Sequence, residues 1–572
     1  MSQRRYLRMV GFCALTGAFS GCSGGGDGQT GSAGATGGSG LATITGGASA
    51  ATDSVGSAGA SSSSGGTTAV TAGSATAGAS TSGGLKFDVG ASVDLGMCFP
   101  GDPNCDEVCK PEFTEFVDPI IKCSWEQHAV IMTPVVADLE NDGSIEILVT
   151  VYSGSEEQGK LVVLDGTDCS ELYRSPTGVF GIRSQLAVAD LDGDTDLEVI
   201  GLKIGGFGLG THEVVVTDHF GNVLATSQAA GVTGGWGHAD GGVAVVNLDG
   251  AGPPEIVYAG MALRFENGQL TTMWNNTVPT GWWGILSGVA DVDLDGTPEV
   301  VTGNRIFDGV TGADETPANV AAMVAGYVAV ADFDENTPEP EIVLVSSQVN
   351  QAGTLTVYHP VTGNVILGPV TFGVKWGGPP TVGDFDGDEK PEIAAAGYSG
   401  YFVFDPECDP NNLPAYCQSA WVRWLSPTVD ASSGSTGSTL FDFNGDGRAE
   451  VVYRDTYKLR IYDGDTGDVL SQFDITSGTI LENPVVADVD LDGHAEIVVP
   501  AQFDKQGIFV LEDPQDKWVA ARSIWNQHTY HVTNTFPNGQ IPLTETNNWA
   551  VWNNYRQQVG PEDKPCKPAP EG

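Results

Sequence analysis

Basic residues are scarce in this chain. Lys and Arg number 25 against 73 Asp and Glu, a formal net charge of -48 over 572 residues. Nucleic acid is therefore excluded as a partner, because phosphate is held by a basic face. Long hydrophobic runs are missing too: the apolar stretch Met9 to Phe19 is too short to span a bilayer. The chain also lacks a nucleophile elbow, a phosphate-binding glycine loop, a zinc-hydrolase motif and paired CxxC spacings. Those absences remove the common signatures of hydrolytic and nucleotide chemistry. What the sequence has in excess is carboxylate. So acidic a chain repels itself unless cations lie among its carboxylates, and many of its acids recur in one short loop.

The start has the order of an export signal. Arg4, Arg5 and Arg8 precede the apolar stretch, and Phe19-Ser20-Gly21-Cys22 follows it. This tetrapeptide resembles the lipobox of bacterial lipoproteins, which predicts a signal over 1–22 and acylation at Cys22. A plain secretory signal is the alternative. Residues 23–84 are nearly all Gly, Ser, Ala and Thr and cannot bury a core. Such a tether has an r.m.s. reach of about 40–45 Å, enough to lift a domain clear of a membrane surface. A lead-in over 85–125, a repeat region over 126–524 and a closing segment over 525–572 follow. Outside the signal stand Cys98, Cys105, Cys109, Cys123, Cys169, Cys408, Cys417 and Cys566, an even set that in an exported chain reads as disulfides. Cys408 and Cys417 bracket the irregular DPNNLPAY and are the expected local bridge; the other pairings stay open.

An alternating acidic triad followed by Glu occurs about eight times between Asp138 and Glu496, at a period of roughly 40–60 residues. The copies start at Asp138, Asp190, Asn247, Asp291, Asp332, Asp384, Asp442 and Asp488. A short strand-like run such as PVVAD, LAVAD or STLFD precedes each, and another such as EILVTV or EIVVP follows, which reads as two strands. A third strand ends in Asp-Gly or Thr-Gly turns, as in NRIFDGVTG and LRIYDGDTGD, and a weaker fourth follows (VLATSQ, WVRWLS, WVAARS). Four antiparallel strands, repeated, predict an all-β propeller of eight blades, with seven the alternative. FTEFV and IIKCSWE ahead of the first loop are candidates for the strand that closes the ring. The aromatic tail after Lys517 is expected to pack across the last and first blades. His528 and His531 within it lack a carboxylate at matching spacing for a metal pair.

In each loop, oxygen-bearing side chains fall at positions 1, 3 and 5, with Glu at 9. Alternate side chains of a tight turn converge, a carbonyl at position 7 joins them, and the Glu closes the shell in bidentate fashion. Such a set of hard oxygens, at about 2.3–2.6 Å, suits Ca²⁺ better than Mg²⁺ or zinc. The best sets are Asp138, Glu140, Asp142 and Glu146; Asp291, Asp293, Asp295 and Glu299; Asp442, Asn444, Asp446 and Glu450; and Asp488, Asp490, Asp492 and Glu496. Gly143, Gly296, Gly447 and Gly493 permit their sharp turn. The sets Asp190, Asp192, Asp194, Glu198 and Asp384, Asp386, Asp388, Glu392 keep their oxygens but put Thr195 and Glu389 at the turn. The copy at Asn247 loses a ligand to Ala251, and the copy at Asp332 inserts a residue before Glu341, so both are expected to be weak or empty. An EF-hand is excluded, since it needs Glu at position 12 between flanking helices.

These loops resemble the FG-GAP/VCBS repeats of integrin-α-like propellers, over roughly residues 130–515. The resemblance implies a structural calcium loop between the first and second strands of each blade, on the face away from the ligand. Ligands would then meet the loops leading into the first strands. Trp125 and His128, Trp236 and His238, Trp282 and Trp283, and Trp376 lie there, as sugar- or peptide-stacking groups or as packing between blades. The tail is similar to those of exported proteins from large-genome Gram-negative bacteria. The leading expectation is a monomeric, calcium-stabilised, non-enzymatic adhesion module for an extracellular glycan or protein, held to the outer membrane or cell surface by its lipid alone. One alternative is a polysaccharide lyase of the eight-bladed rhamnogalacturonan-lyase type, in which His238 with Asp240, or Arg183, would serve as base and cation. The other is a passive envelope scaffold.

Overall fold

The structure, a computed structural model, describes residues 116–560 apart from 154–155, 207–208, 234–240, 281–283, 347, 349–350 and 431–432. Each acidic loop is the turn of an antiparallel hairpin. In the first sheet Val135–Ala137 leads into the Asp138 loop and Glu146–Thr150 leads out; Leu161–Asp165 and Glu171–Arg174 complete four strands. The sheets that follow repeat this order, starting at Ala187, Ala244, Ile285, Gly326, Thr381, Thr439 and Val485. Among the described residues seven sheets have four strands. The sheet starting at Ile285 has three antiparallel strands, extended in parallel by Gly241–Gly242 and Ser184–Gln185, then a bridge from Phe307 to Asp314 and the short helix Ala318–Ala321.

Burial follows from stacking the sheets side by side. Second strands such as EILVT, EVVYR and EIVVPA are buried at every residue, because a neighbouring sheet covers each of their faces. Outer strands such as VLATSQA alternate exposed and buried. The apolar clusters sit between sheets. They join the first and second (Val163 with Val188), second and third (Ile200 with Val257), fourth and fifth (Val301 with Val328) and fifth and sixth (Val343 with Ile393). Others join the sixth to the seventh (Val403 with Val451) and the seventh to the eighth (Val452 with Ile497). The eighth packs back on the first through Val498 and Leu148. A row of sheets whose last member packs on its first is a β-propeller.

The closing strand is Ile120–Trp125, which pairs antiparallel with Gly507–Glu512 as the outer strand of the last sheet. WVAARS, expected to be a fourth strand, is not one. Its place is taken by IIKCSW, and Trp518 instead packs at a tilt against Phe443 with ring centroids 4.4 Å apart. Cys123 on the closing strand is bonded to Cys169 in the first sheet, their Cα atoms 5.7 Å apart, so the seam is fastened covalently. The Cys408–Cys417 bridge closes DPNNLPAY as expected. Both bonds suit an oxidising compartment. No helix among the described residues is long and apolar enough to cross a membrane.

The tail does more than lie across the last and first sheets. Outside the sheet starting at Ile285, whose first strand pairs in parallel with Gly241–Gly242, the first strands have a free edge, whose unpaired N–H and C=O groups need partners. Val136 exchanges backbone hydrogen bonds with Trp525 (3.1 and 2.8 Å), and Val188 donates to the Asn526 carbonyl (3.0 Å). The Gln527 amide accepts from Val245 N–H (2.7 Å) and donates to its carbonyl (3.2 Å). Asn553 treats Asp332 in the same way, at 2.8 Å both ways. Tyr555 pairs with Val382, Gln558 N–H donates to Leu440, and the Gln558 amide donates to Val486. An amide side chain carries donor and acceptor together, so Asn and Gln substitute for a missing strand. The tail thus ties first strands from sheets all round the ring.

Candidate metal loops and the opposite face

Each loop is folded around its own carboxylates. At position 1, Asp138 accepts from Asp142 and Gly143 N–H (2.9 Å each), and Asp442 accepts from Asp446 and Gly447 (3.0 and 2.8 Å). Position 5 accepts from the N–H at position 7, as Asp295 does from Thr297 and Asp388 from Lys390 (2.8 and 2.9 Å). Outside the Asp332 loop the turn residue has positive φ whatever its type: Gly143 at 88° and Gly296 at 93°, but also Thr195 at 83° and Glu389 at 70°. The loop geometry therefore outlasts the loss of glycine, at the cost of a conformation that side chains disfavour.

The Glu at position 9 (position 10 in the Asp332 copy) opens the second strand and is buried in all eight copies. One of its oxygens accepts from the N–H at position 2: Leu139, Leu191, Leu248, Val292, Phe333, Phe385, Phe443 and Val489, at 2.7–3.0 Å. That commits one oxygen to the backbone and leaves the other for a cation, in place of the bidentate grip expected from spacing alone. Burial, reinforced by the neighbouring carboxylates, pushes Glu146 and Glu341 up to about 7 and Glu198 and Glu299 up to about 8. Glu392 and Glu450 are raised well above the ordinary value for the same reasons. A carboxylate that resists ionisation in its own loop is one that a bound cation would stabilise.

Oxygens of Asp190, Asp192 and Asp194 lie within 4.8 Å of one another, as do those of Asp291, Asp293 and Asp295 and those of Asp384, Asp386 and Glu392. Buried Asp291 Oδ1, Asp488 Oδ1 and Glu341 Oε1 have no hydrogen-bond partner. The Asp190, Asp291 and Asp384 sets can hold a metal ion. One ligand was invisible to the spacing: Glu315 brings an oxygen to Asp293 and Glu299, again within 4.8 Å.

Residues 428–499 match the FG-GAP-like repeat. The match takes in the whole Asp442 loop and the Asp488 loop. No curated protein matches the chain. Among solved structures it is similar to the V. cholerae biofilm matrix protein Bap1, with TM-score 0.61 and 18% identity over 78% of this chain and 99% of that one. The exotype rhamnogalacturonan lyase YesX gives TM-score 0.48 and 16% identity, covering 79% and 83% of the two chains. A Bacillus licheniformis rhamnogalacturonan lyase gives 0.45 and 20%, covering 68% and 72%. At these identities the likeness to Bap1 is one of fold alone.

The acidic loops all join first strands to second strands, so the turns from second to third strands open on the opposite face. Four consecutive sheets expose an aromatic ring there: Tyr398, Tyr457, Phe503 and, past the seam, Tyr152, at 39–59% exposure. None was singled out from sequence, although Tyr-Ser-Gly follows the second strand at both Tyr152 and Tyr398. Of the rings that were singled out, Trp376 is 8% exposed and packs edge-on to Tyr398 at 5.5 Å, behind the exposed ring. Trp125 is buried too and donates to Glu171 of the first sheet (3.1 Å), which is packing between sheets. His128 lies 6.0 Å from Trp125 in an edge-on contact. Trp236, His238, Asp240, Trp282 and Trp283 lie outside the described residues. Arg183 is half-buried on the loop leading into the second sheet. In the tail, His528 is fully buried against Gly242 and pushed down to about 3, hence neutral, while His531 pairs with Glu545. The two histidines do not converge.

Proposed function

We propose that this protein is a calcium-stabilised recognition module that binds an extracellular glycan or protein on the face opposite its acidic loops. The observation that carries the reading is the row of exposed aromatic rings at Tyr398, Tyr457, Phe503 and Tyr152, one per sheet at the same turn. Rings held on rigid hairpins stack on sugar faces or peptide side chains at little entropic cost. Calcium, when bound, supplies the positive charge that the position-9 glutamates require. Asp138, Asp190, Asp291 and Asp442, with the other acids of their loops, would hold it. The ions belong to the scaffold in this reading, fixing hairpins whose other ends present the ligand surface. The Cys22 lipid and the 23–84 tether would display the module from a bacterial envelope. The likeness to a biofilm matrix protein is one of fold and is not what supports the proposal.

Binding of the full chain to a glycan array, with calcium and with EGTA, tests this. The expected result is calcium-dependent binding that falls at least tenfold when Tyr457 and Phe503 are both changed to Ala. Release of unsaturated sugars from pectin-type polymers would assign the chain to lyase chemistry instead. Binding unchanged by both ring substitutions would place the ligand surface elsewhere.

A further inference from the structure

Two of the eight loops have a basic side chain where their sisters have room for an ion. In the Asn247 loop, Arg264 from the third strand of the same sheet reaches back between positions 3 and 9. Its Nη2 is 2.5 Å from Asp249 Oδ2 and 2.7 Å from Glu255 Oε1, and its Nε is 2.9 Å from the same glutamate oxygen. The rest of that loop is satisfied as well. Asn247 Oδ1 accepts from Ala251 N–H (3.0 Å), its Nδ2 donates to Gly252 (3.2 Å), and Glu255 Oε2 accepts from Leu248 (2.9 Å). In the Asp488 loop, Lys122 arrives from the closing strand and contacts the same two positions: it pairs with Asp490 and lies 3.6 Å from Glu496 Oε1. A third partner, Glu512 on the adjoining strand, is 3.1 Å away.

We infer that Arg264 and Lys122 are the resident cations of these two loops, and that divalent ions bind only in loops without one. This rests on the calcium reading above and narrows it. The chemistry is a like-for-like exchange. A guanidinium or ammonium placed between the position-3 and position-9 carboxylates delivers its charge where the ion would, without needing free calcium. Position matters here. Arg423 also pairs with a position-3 acid, Asp386 (2.6 Å), but its other partners are Asp405 and Asp465 and not Glu392, so it stands beside the Asp384 loop and not within it. The Asp488 loop was among the four best metal sets by spacing, and its ammonium comes from the strand that closes the ring. The seam would therefore hold on a covalent bond and a fixed charge, independent of ion supply.

Metal analysis of the full chain equilibrated with calcium tests the inference. Asp293→Asn should lose about one calcium per chain, whereas Asp249→Asn and Asp490→Asn should lose none. Lys122→Met, which keeps the aliphatic stem, should gain about one by freeing Asp488, Asp490, Asp492 and Glu496. Loss of a calcium in Asp249→Asn or Asp490→Asn would overturn the inference, as would an unchanged count in Lys122→Met. The Asp490→Asn count keeps the test decisive if Lys122→Met does not fold. A wild-type chain that binds no calcium at all would overturn the broader calcium reading instead.

Discussion

The loops at Asn247 and Asp291 are neighbours on one face, share a cleft of about 190 Å³ under Leu543–Trp549, and are built on the same hairpin. Each buries its position-9 glutamate and ties it to the N–H at position 2. They differ in what meets positions 3 and 9. One receives Arg264; the other receives a further carboxylate, Glu315. The first loop is complete without an ion, and the second gathers more negative charge than its own motif contains. A repeated loop is therefore a geometry that can be neutralised in two ways, and the motif alone does not say which.

The largest effect expected from this contrast is collective. In metal-free protein, glutamates whose folded pKa is raised to about 7 or 8, from an ordinary 4.5, bind protons that the unfolded chain has already released. The folded state then carries more protons between these values, so stability is greatest at low pH and is lost as pH rises toward 8. Urea midpoints of metal-free protein should fall from pH 5.5 to pH 8, and added calcium should restore most at pH 8. A midpoint that rises over this range would break the account of the loops.

Next in size is Glu255→Ala, which strips Arg264 and the Leu248 N–H of their buried partner. It should cost about 1–3 kcal/mol, equally with and without calcium. The matching Glu299→Ala should lower stability more with calcium present than in its absence, because it also removes an ion ligand. If both substitutions respond to calcium alike, the two loops are not different in kind. The smallest effect belongs to Glu315→Gln. An exposed ligand added to a working set should change calcium affinity only a few-fold, about 0.5–1 kcal/mol, as calorimetric titration would read it.

Spacing made the hairpins and most of the ligand sets legible, because positions 1, 3, 5 and 9 and the strands beside them are local. The Glu-to-position-2 bond spans seven residues and needs no distant partner. The cations were not legible. Arg264 acts from across a hairpin, and Lys122 stands 368 residues from Asp490 in the chain. IIKCSWE was legible as a closing strand, whereas distance along the chain hid the Cys123–Cys169 pairing. The tail hid its edge pairing for a related reason. Its asparagines and glutamines answer free strand edges that exist only once the ring has formed. Tyr152, Tyr398, Tyr457 and Phe503 carry no such spacing signal, because they sit in second-to-third turns that open on the same face as the loops before first strands.

The central claim is that loops lacking a built-in base depend on calcium for their fold. Thermal unfolding of the full chain, in calcium and after exhaustive chelation, addresses it most directly. The account predicts a melting temperature lowered by several degrees on chelation and recovered when calcium is returned, about what a net 2–3 kcal/mol of ion binding gives. Superimposable melting curves in the two conditions would contradict it.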